Sequence, residues 1–450
     1  MTNNMLLNQI LSTLKEEKKY HALRDVLAAV KPADLAELLE QVPENQIPIL
    51  FRLLGREQAA EVFVELDSHG QERLIRGLSD KELKAVVDEL AADDAADLVE
   101  EMPAPVVTRI LRQADPEIRR TINELLRYPE DSAGSIMTVE YMALGPEMTA
   151  AEAIDAIRAT GVGKETVDPC YVVDGKGRLL GSVAVRELIV SPADRPVAAM
   201  MEADGVTVLP QTDQEAVAQM FGKYDLLSLP VTDGDRRLMG IITVDDVLDV
   251  LQAEATEDME KMAAITPSEQ PYLHTSVWTL WKNRIPWLLL LMVSATFTGM
   301  IITRFESALA ACVVLTAYIP MLMDTGGNCG SQASVTVIRA LSLGQVQFRD
   351  TLRVAWKEMR VALLCGLTLA VVNMGKLLLL ERVEIPVALA VSLTLVVTVF
   401  AAKLVGCTLP IAAKRLGFDP AVMASPFITT IVDALSLLIY FRFAALLLQL

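Results

Sequence analysis

The character of this 450-residue chain changes abruptly near residue 275, and that change constrains its fold more than any other feature. Beyond it, apolar stretches occupy about 286–303, 308–343, 358–380, 386–411 and 424–448. Each is about long enough to cross the ~30 Å hydrocarbon core of a bilayer as a helix. The second stretch is interrupted in its middle and reads as one long broken helix, so five spans are predicted. Residues 276–450 carry 14 of the 40 Lys+Arg and 8 of the 58 Asp+Glu, a balance of +6 that leaves −24 for residues 1–275 out of a total of −18. An acidic half attracts cations and repels phosphate backbones, which argues against nucleic-acid binding. Basic residues set the orientation. Lys282 and Arg284 precede the first span, Arg349, Arg353, Lys357 and Arg360 follow the second, and Lys414 and Arg415 follow the fourth. The positive-inside bias then places the N-terminal half in the cytoplasm of an inner-membrane protein and the C-terminus outside.

The acidic half has its own organisation. Residues 1–130 show short amphipathic patterns, DLAELLEQVP at 34–43, AAEVFVEL at 59–66 and DDAADLVEEMP at 93–103, which suit an all-α helical superhelix domain. The first twenty residues lack the basic and apolar regions of a secretory signal. Residues 131–252 hold a repeat: Asp174 to Asp233, Gly181 to Gly240 and Glu187 to Asp246 are each offset by 59 residues. Each copy reads as strand, tight turn, strand, then an acidic residue opening a helix, and so resembles a tandem pair of CBS modules, an α/β regulatory fold. A connecting helix is predicted over 245–270, where Asp246, Asp249, Glu254 and Glu257 fall within an arc of roughly 140°. Such a face is either solvated or neutralised by cations. The five cysteines form no CxxC pair, so disulfide and zinc chemistry are disfavoured.

Two features of the membrane half, residues 271–450, carry chemistry. Asp433 lies mid-span, with Thr429 one helical turn away. A carboxylate there is costly unless it faces water, an ion or a partner charge. Oxygen donors favour Mg²⁺ or Ca²⁺ over softer metals. From the residues alone, a pore site and a structural carboxylate paired with Lys403 both remain open. The second feature is Asp324-Thr-Gly-Gly-Asn-Cys-Gly-Ser-Gln332. Its glycines are expected to break a helix at membrane depth and supply carbonyls to an ion, a close-packing kink being the alternative.

The order of helical domain, CBS pair, acidic connecting helix and five spans resembles the MgtE-type magnesium channel family. GGNCGSQ at 326–332, DPAVMASPFITTIVDALSLLIYF at 419–441 and DVLDVLQAEATEDMEK at 246–261 are the segments that carry the likeness. The resemblance implies a homodimeric Mg²⁺ channel, no enzyme, with Mg²⁺ as both cargo and regulator. It implies metal-binding roles for Asp433, Thr429, Asp419, Glu61, Asp93, Asp97, Glu215, Asp225, Asp246, Asp249, Glu254, Glu257 and Asp258. It places Asp324, Gly326, Gly327, Asn328, Gln332 and Ser425 along the pore. Ser425, Lys403 and Asp324 depart from the family pattern. Lys403 is expected to point inward, toward Asp324 or helix-end carbonyls rather than Asp433. ATP binding to the CBS pair is expected to be absent, because Pro169-Cys170 stands where an aromatic platform would help. No P-loop, GxSxG or HExxH motif occurs, which disfavours an ATP-driven pump. A coupled divalent-cation transporter exchanging Na⁺ or H⁺ is the alternative.

Overall fold

In the computed structural model the described residues are 20–449, except 204, 269–271, 274 and 424. The chain divides into two compact units, residues up to 252 with a short return at 270–274, and residues 253–269 with 275–450.

Among the described residues the first unit opens on nine helices: α1 Tyr20–Ala28, α2 Pro32–Glu40, α3 Ile47–Phe51, α4 Arg56–Val64, α5 Ser68–Gly77, α6 Asp80–Val87, α7 Ala92–Glu101, α8 Ala104–Gln113 and α9 Pro116–Leu125. Their starts follow local chemistry. Ser79 and Glu82 form a capping box at α6, Asp67 accepts from Gly70 N–H at α5, and Pro32 opens α2. Leucines and valines from successive helices meet in one core. The stretch 1–19, part of the expected helical domain, lies outside the described residues.

The 59-residue repeat is visible as two hairpins. In the first copy β1 Tyr141–Leu144 pairs parallel with β2 Thr166–Val173, which pairs antiparallel with β3 Leu179–Val183; α10 Ala150–Thr160 and α11 Val185–Val190 flank them. In the second, α12 Gln214–Tyr224 precedes the antiparallel pair β4 Ser228–Thr232 and β5 Leu238–Thr243. Asp174 accepts from the N–H groups of Lys176 and Arg178, and Asp233 from those of Asp235 and Arg237, so one side chain builds the same turn twice. Gly240 is required by close approach, since a Cβ there would lie 2.6 Å from the Thr138 carbonyl. Ala92 and Ala96 of α7 share a core with Met137, Val217, Phe221 and Ile242, which joins the helical and α/β parts.

Helix α13, Val244–Met262, starts in the first unit and ends in the second. The second unit continues with α14 Val277–Arg304, α15 Glu306–Ala311, α16 Ile319–Ser342, α17 Thr351–Leu379, α18 Ile385–Arg415 and α19 Ser425–Leu448. Among the described residues four helical stretches, 277–304, 348–379, 385–415 and 421–448, are long and apolar enough to cross a membrane. The expected broken span over 308–343 differs from the structure in two ways. The chain departs from regular α-helix earlier, in a 3₁₀ turn at Val313–Tyr318, and α16 runs unbroken through all three glycines. Its 24 residues span about 36 Å.

Candidate pore and acidic faces

The glycines of α16 serve close packing. A Cβ on Gly326 would lie 2.7 Å from Thr398 Cγ2 of α18 and 2.9 Å from Val432 Cγ1 of α19. One on Gly327 would lie 2.9 Å from Thr429 Cγ2, and one on Gly330 2.7 Å from Ile428 Cγ2. Gly406 of α18 returns the contact, facing the Gly330 carbonyl. Small residues therefore let three backbones approach, as helices packed in lipid require. The expectation of a helix break, with free carbonyls offered to an ion, is corrected by this geometry.

The same packing sorts the polar residues. Asp324, Asn328 and Gln332 recur every four residues and form an exposed stripe on α16, while Gly326, Gly327 and Gly330 are buried. On α19 Thr429 and Asp433 are half-buried and one turn apart. The Thr429 hydroxyl donates to the Pro426 carbonyl at 2.9 Å, leaving its lone pairs available. The charged group acting on Asp433 is another carboxylate, Asp324. Among the described residues neither is salt-bridged to a basic side chain. The side chain of Ser425 lies outside the described residues.

Lys403 is 4 % exposed, and its ammonium pairs with Glu358 of α17 at 3.3 Å. This corrects the expected partner, Asp324 or a helix-end carbonyl, and removes the alternative in which Lys403 neutralises Asp433. Glu358 is the only acidic residue in the apolar stretch that follows Arg353, which is the signal that could have singled it out.

The acidic residues of α13 fall into two settings. In the second unit, the Asp258 carboxylate accepts from Ser342 Oγ at 3.2 Å, and Lys261 bridges Glu257 at 2.5 Å and Asp419 at 2.7 Å. Three expected metal-binding residues are therefore already engaged by protein groups. In the first unit, Asp246 faces the acidic end of α7. Asp93 is 7 % exposed, with one carboxylate oxygen lacking a hydrogen-bond partner. Burial pushes Asp93 up to about 6, and burial followed by the charges of Asp93, Asp246 and Glu165 pushes Asp94 up to about 8. Burial also raises Asp246 to about 6, against the Thr243 hydroxyl that donates to it at 2.6 Å. Asp97 is more open to solvent, yet crowding around its carboxyl and the charges of Asp93 and Glu101 raise it to about 7. Asp94 and Glu165 were not singled out from sequence. The Asp-Asp doublet at 93–94 was the available signal for the first, and nothing local marks the second.

The remaining expected sites are dispersed. Glu61 is exposed on α4 and Asp249 on α13. Glu215 and Asp225 stand at opposite ends of α12, about 15 Å apart along its axis. Glu254 is half-buried. Among the described residues no three carboxylate, histidine or cysteine groups converge to hold a bare ion. A hydrated Mg²⁺ needs only one or two carboxylates, which the pairs Asp324/Asp433 and Asp93/Asp246 supply.

Comparison with known proteins agrees with this layout. Residues 319–443 match the model of a divalent cation transporter domain (MgtE), residues 30–131 the MgtE intracellular N domain, and residues 133–193 and 197–253 the CBS domain. The magnesium transporter MgtE of Thermus thermophilus is 40% identical over 438 residues, 96% of this chain and 97% of that protein. That of Bacillus subtilis is 29% identical over 99% of this chain and 98% of its own length. Among solved structures, the cytosolic domain of the Mg²⁺ channel MgtE in complex with ATP is 38% identical, with a TM-score of 0.52, covering 54% of this chain and 99% of that one. That complex counts against the expectation that the CBS pair carries no nucleotide. The chain belongs to the MgtE family of divalent cation transporters.

Proposed function

We propose that this protein is a homodimeric Mg²⁺ channel that mediates magnesium uptake and is closed by cytosolic Mg²⁺. The observation that carries the reading is Asp433, a half-buried carboxylate mid-way along an apolar helix, beside a glycine seam and with no salt-bridged cation among the described residues. A charge so placed is sustained by water or a passing cation. Mg²⁺ sheds its water reluctantly, so Asp433 binds the hydrated ion with help from Thr429 and the Asp324–Asn328–Gln332 stripe. Relatives aligned over nearly the whole chain and named as magnesium transporters support Mg²⁺ as the cargo. In this reading α16 is the fifth span, the N-terminal half is cytoplasmic and the C-terminus lies outside.

Sensing rests on the acidic faces. Without cations, Asp93, Asp94 and Asp97 repel Asp246, and the helical part separates from the CBS pair; Mg²⁺ relieves the repulsion and favours the compact form. Asp249, Glu254, Glu257, Asp258, Asp419, Glu215, Asp225 and Glu61 extend the regulatory surface within and between protomers. Closure follows only because the ion binds the compact state better than the separated one.

Patch recording of the full-length protein in liposomes tests both parts. Current along a Mg²⁺ gradient with no coupling ion, suppressed by Mg²⁺ on the cytosolic face and lost in Asp433→Asn, is the expected result. Flux that requires a Na⁺ or H⁺ gradient would establish coupled exchange instead.

A further inference from the structure

We infer that the outer face of α17 is a binding site for an anionic phospholipid, with the phosphate held by Arg353, Lys357 and Arg360. At 100° per residue these three lie within about 60° of one another. Leu364, Leu367 and Val371 continue the same face, so a single helical stripe passes from basic to apolar. Among the described residues nothing covers it: all three basic residues are exposed, and Leu364, Leu367 and Val371 are 70%, 50% and 72% exposed. Trp356, 66% exposed, flanks the basic portion, where indole rings settle at the membrane interface. The charges are largely uncommitted. Arg353 has a 3.4 Å contact with Asp350, Lys357 and Arg360 have no acidic partner among the described residues, and the nearby Glu358 turns inward to Lys403. Arg415 adds a further positive charge beside the helix start, stacked 3.9 Å over Phe348. A headgroup phosphodiester followed by acyl chains has the complementary order of charge and apolarity. Positively charged segments on the cytoplasmic side of a span meet the anionic leaflet. The inference rests on α17 crossing the bilayer.

The test is the thermal unfolding midpoint of the detergent-solubilised full-length protein, without divalent cations, titrated with phosphatidylglycerol, phosphatidylcholine or inorganic phosphate. Phosphatidylglycerol at saturating excess is expected to raise the wild-type midpoint by roughly 5–10 °C, phosphatidylcholine by much less and phosphate negligibly. Arg353→Gln/Lys357→Gln/Arg360→Gln should lose most of that difference. Raising NaCl should shrink the phosphatidylglycerol effect in the wild type, an arm that needs no variant. The single change Lys357→Gln should remove part of the effect if the triple variant fails to fold. An equal shift from both lipids, an undiminished shift in a folded triple or single variant, or insensitivity to NaCl would overturn the site. Dissociation of a dimer by the triple variant would assign the face to a second copy instead. Loss of any response to either lipid would count against α17 as a span, a failure distinct from loss of headgroup selectivity.

Discussion

Replacing Glu358 by Gln should be among the most damaging single changes in the membrane unit, although the residue lies outside the glycine seam and the Asp433 helix. The Lys403 and Glu358 side chains are only 5% and 14% exposed, and they meet at 3.3 Å between α18 and α17. Removing the carboxylate leaves a lysine without its counter-charge among Cys329, Ala402 and Cys407, all buried. Breaking a buried pair from one side costs about 3–5 kcal/mol, whereas replacing both partners by apolar groups of similar size is often neutral. At about 2–4 °C per kcal/mol for a unit of this size, Glu358→Gln should lower the unfolding midpoint by roughly 6–20 °C. Lys403→Met should be comparably harmful, and Glu358→Gln with Lys403→Met should recover most of the loss. The buried free cysteines Cys329 and Cys407 provide the readout, because a thiol-reactive dye reaches them only as this unit opens. A shift under about 1 °C for Glu358→Gln, or a double variant no better than the worse single one, would refute a coupled buried pair.

The glycine seam makes a second stability prediction. Gly326→Ala should destabilise the same unit by about 1–3 kcal/mol, because its Cβ would lie within 2.9 Å of both Thr398 Cγ2 and Val432 Cγ1; a neutral effect in the thiol assay would exclude tight packing there. Asp433→Asn should reduce ²⁸Mg uptake to background while the protein stays folded in the membrane, and normal uptake would remove the pore assignment. The first unit should show inverse pH dependence in EDTA. Asp94, Asp93 and Asp246 titrate at about 8, 6 and 6 when folded against an ordinary 3.8, so the compact form holds more protons. Its stability is then greatest at low pH and falls as pH rises from about 4 through 8. Glu140 and Glu165, both raised by burial, add to the effect; the charge of Asp245 acts on Glu165, and that of Lys164 opposes the shift of Glu140. Protease resistance that is higher at pH 6 than at pH 8 in EDTA, with the difference erased by millimolar Mg²⁺, is the expected outcome. Equal protection by Na⁺ at matched ionic strength would reduce the effect to screening.

What was legible in the sequence follows the range of the interactions. The repeat was readable because Asp174 and Asp233 act within four residues, each closing a turn onto its own backbone. The apolar helices were readable because hydrocarbon selects composition one segment at a time. The role of the glycines was not. A glycine that frees the backbone and one that admits a neighbouring helix look the same in sequence. Thr398 and Val432, 72 and 106 residues beyond Gly326, decide between them. The Lys403–Glu358 pair was hidden for the same reason, its partners lying 45 residues apart on different helices. Of the candidate site, Asp433 and Thr429 were evident from one helix. The like-charged setting of Asp433 beside Asp324 emerged only when α16 and α19 were brought together.

In the regulated channel proposed above, the two settings of acidic residues divide the labour. Where α13 enters the membrane unit, Lys261 is bonded to both Glu257 and Asp419, so part of the negative charge there is balanced by the chain itself. At the other end of the helix, Asp246 meets Asp93, Asp94 and Glu165, and Asp93 keeps a buried carboxylate oxygen without a hydrogen-bond partner. A divalent cation gains most where like charges are held close and uncompensated, because each added charge relieves several repulsions at once. It gains least where a lysine already bridges the carboxylates. Under the proposed function, the first-unit cluster is therefore where rising cytosolic Mg²⁺ would do most of its thermodynamic work. In the same reading the Lys261 bridge leaves Glu257 and Asp419 as the weaker part of the regulatory surface. In the proposed channel, α13, which starts in the first unit and ends in the second, is then the element that would pass on an ion-driven change.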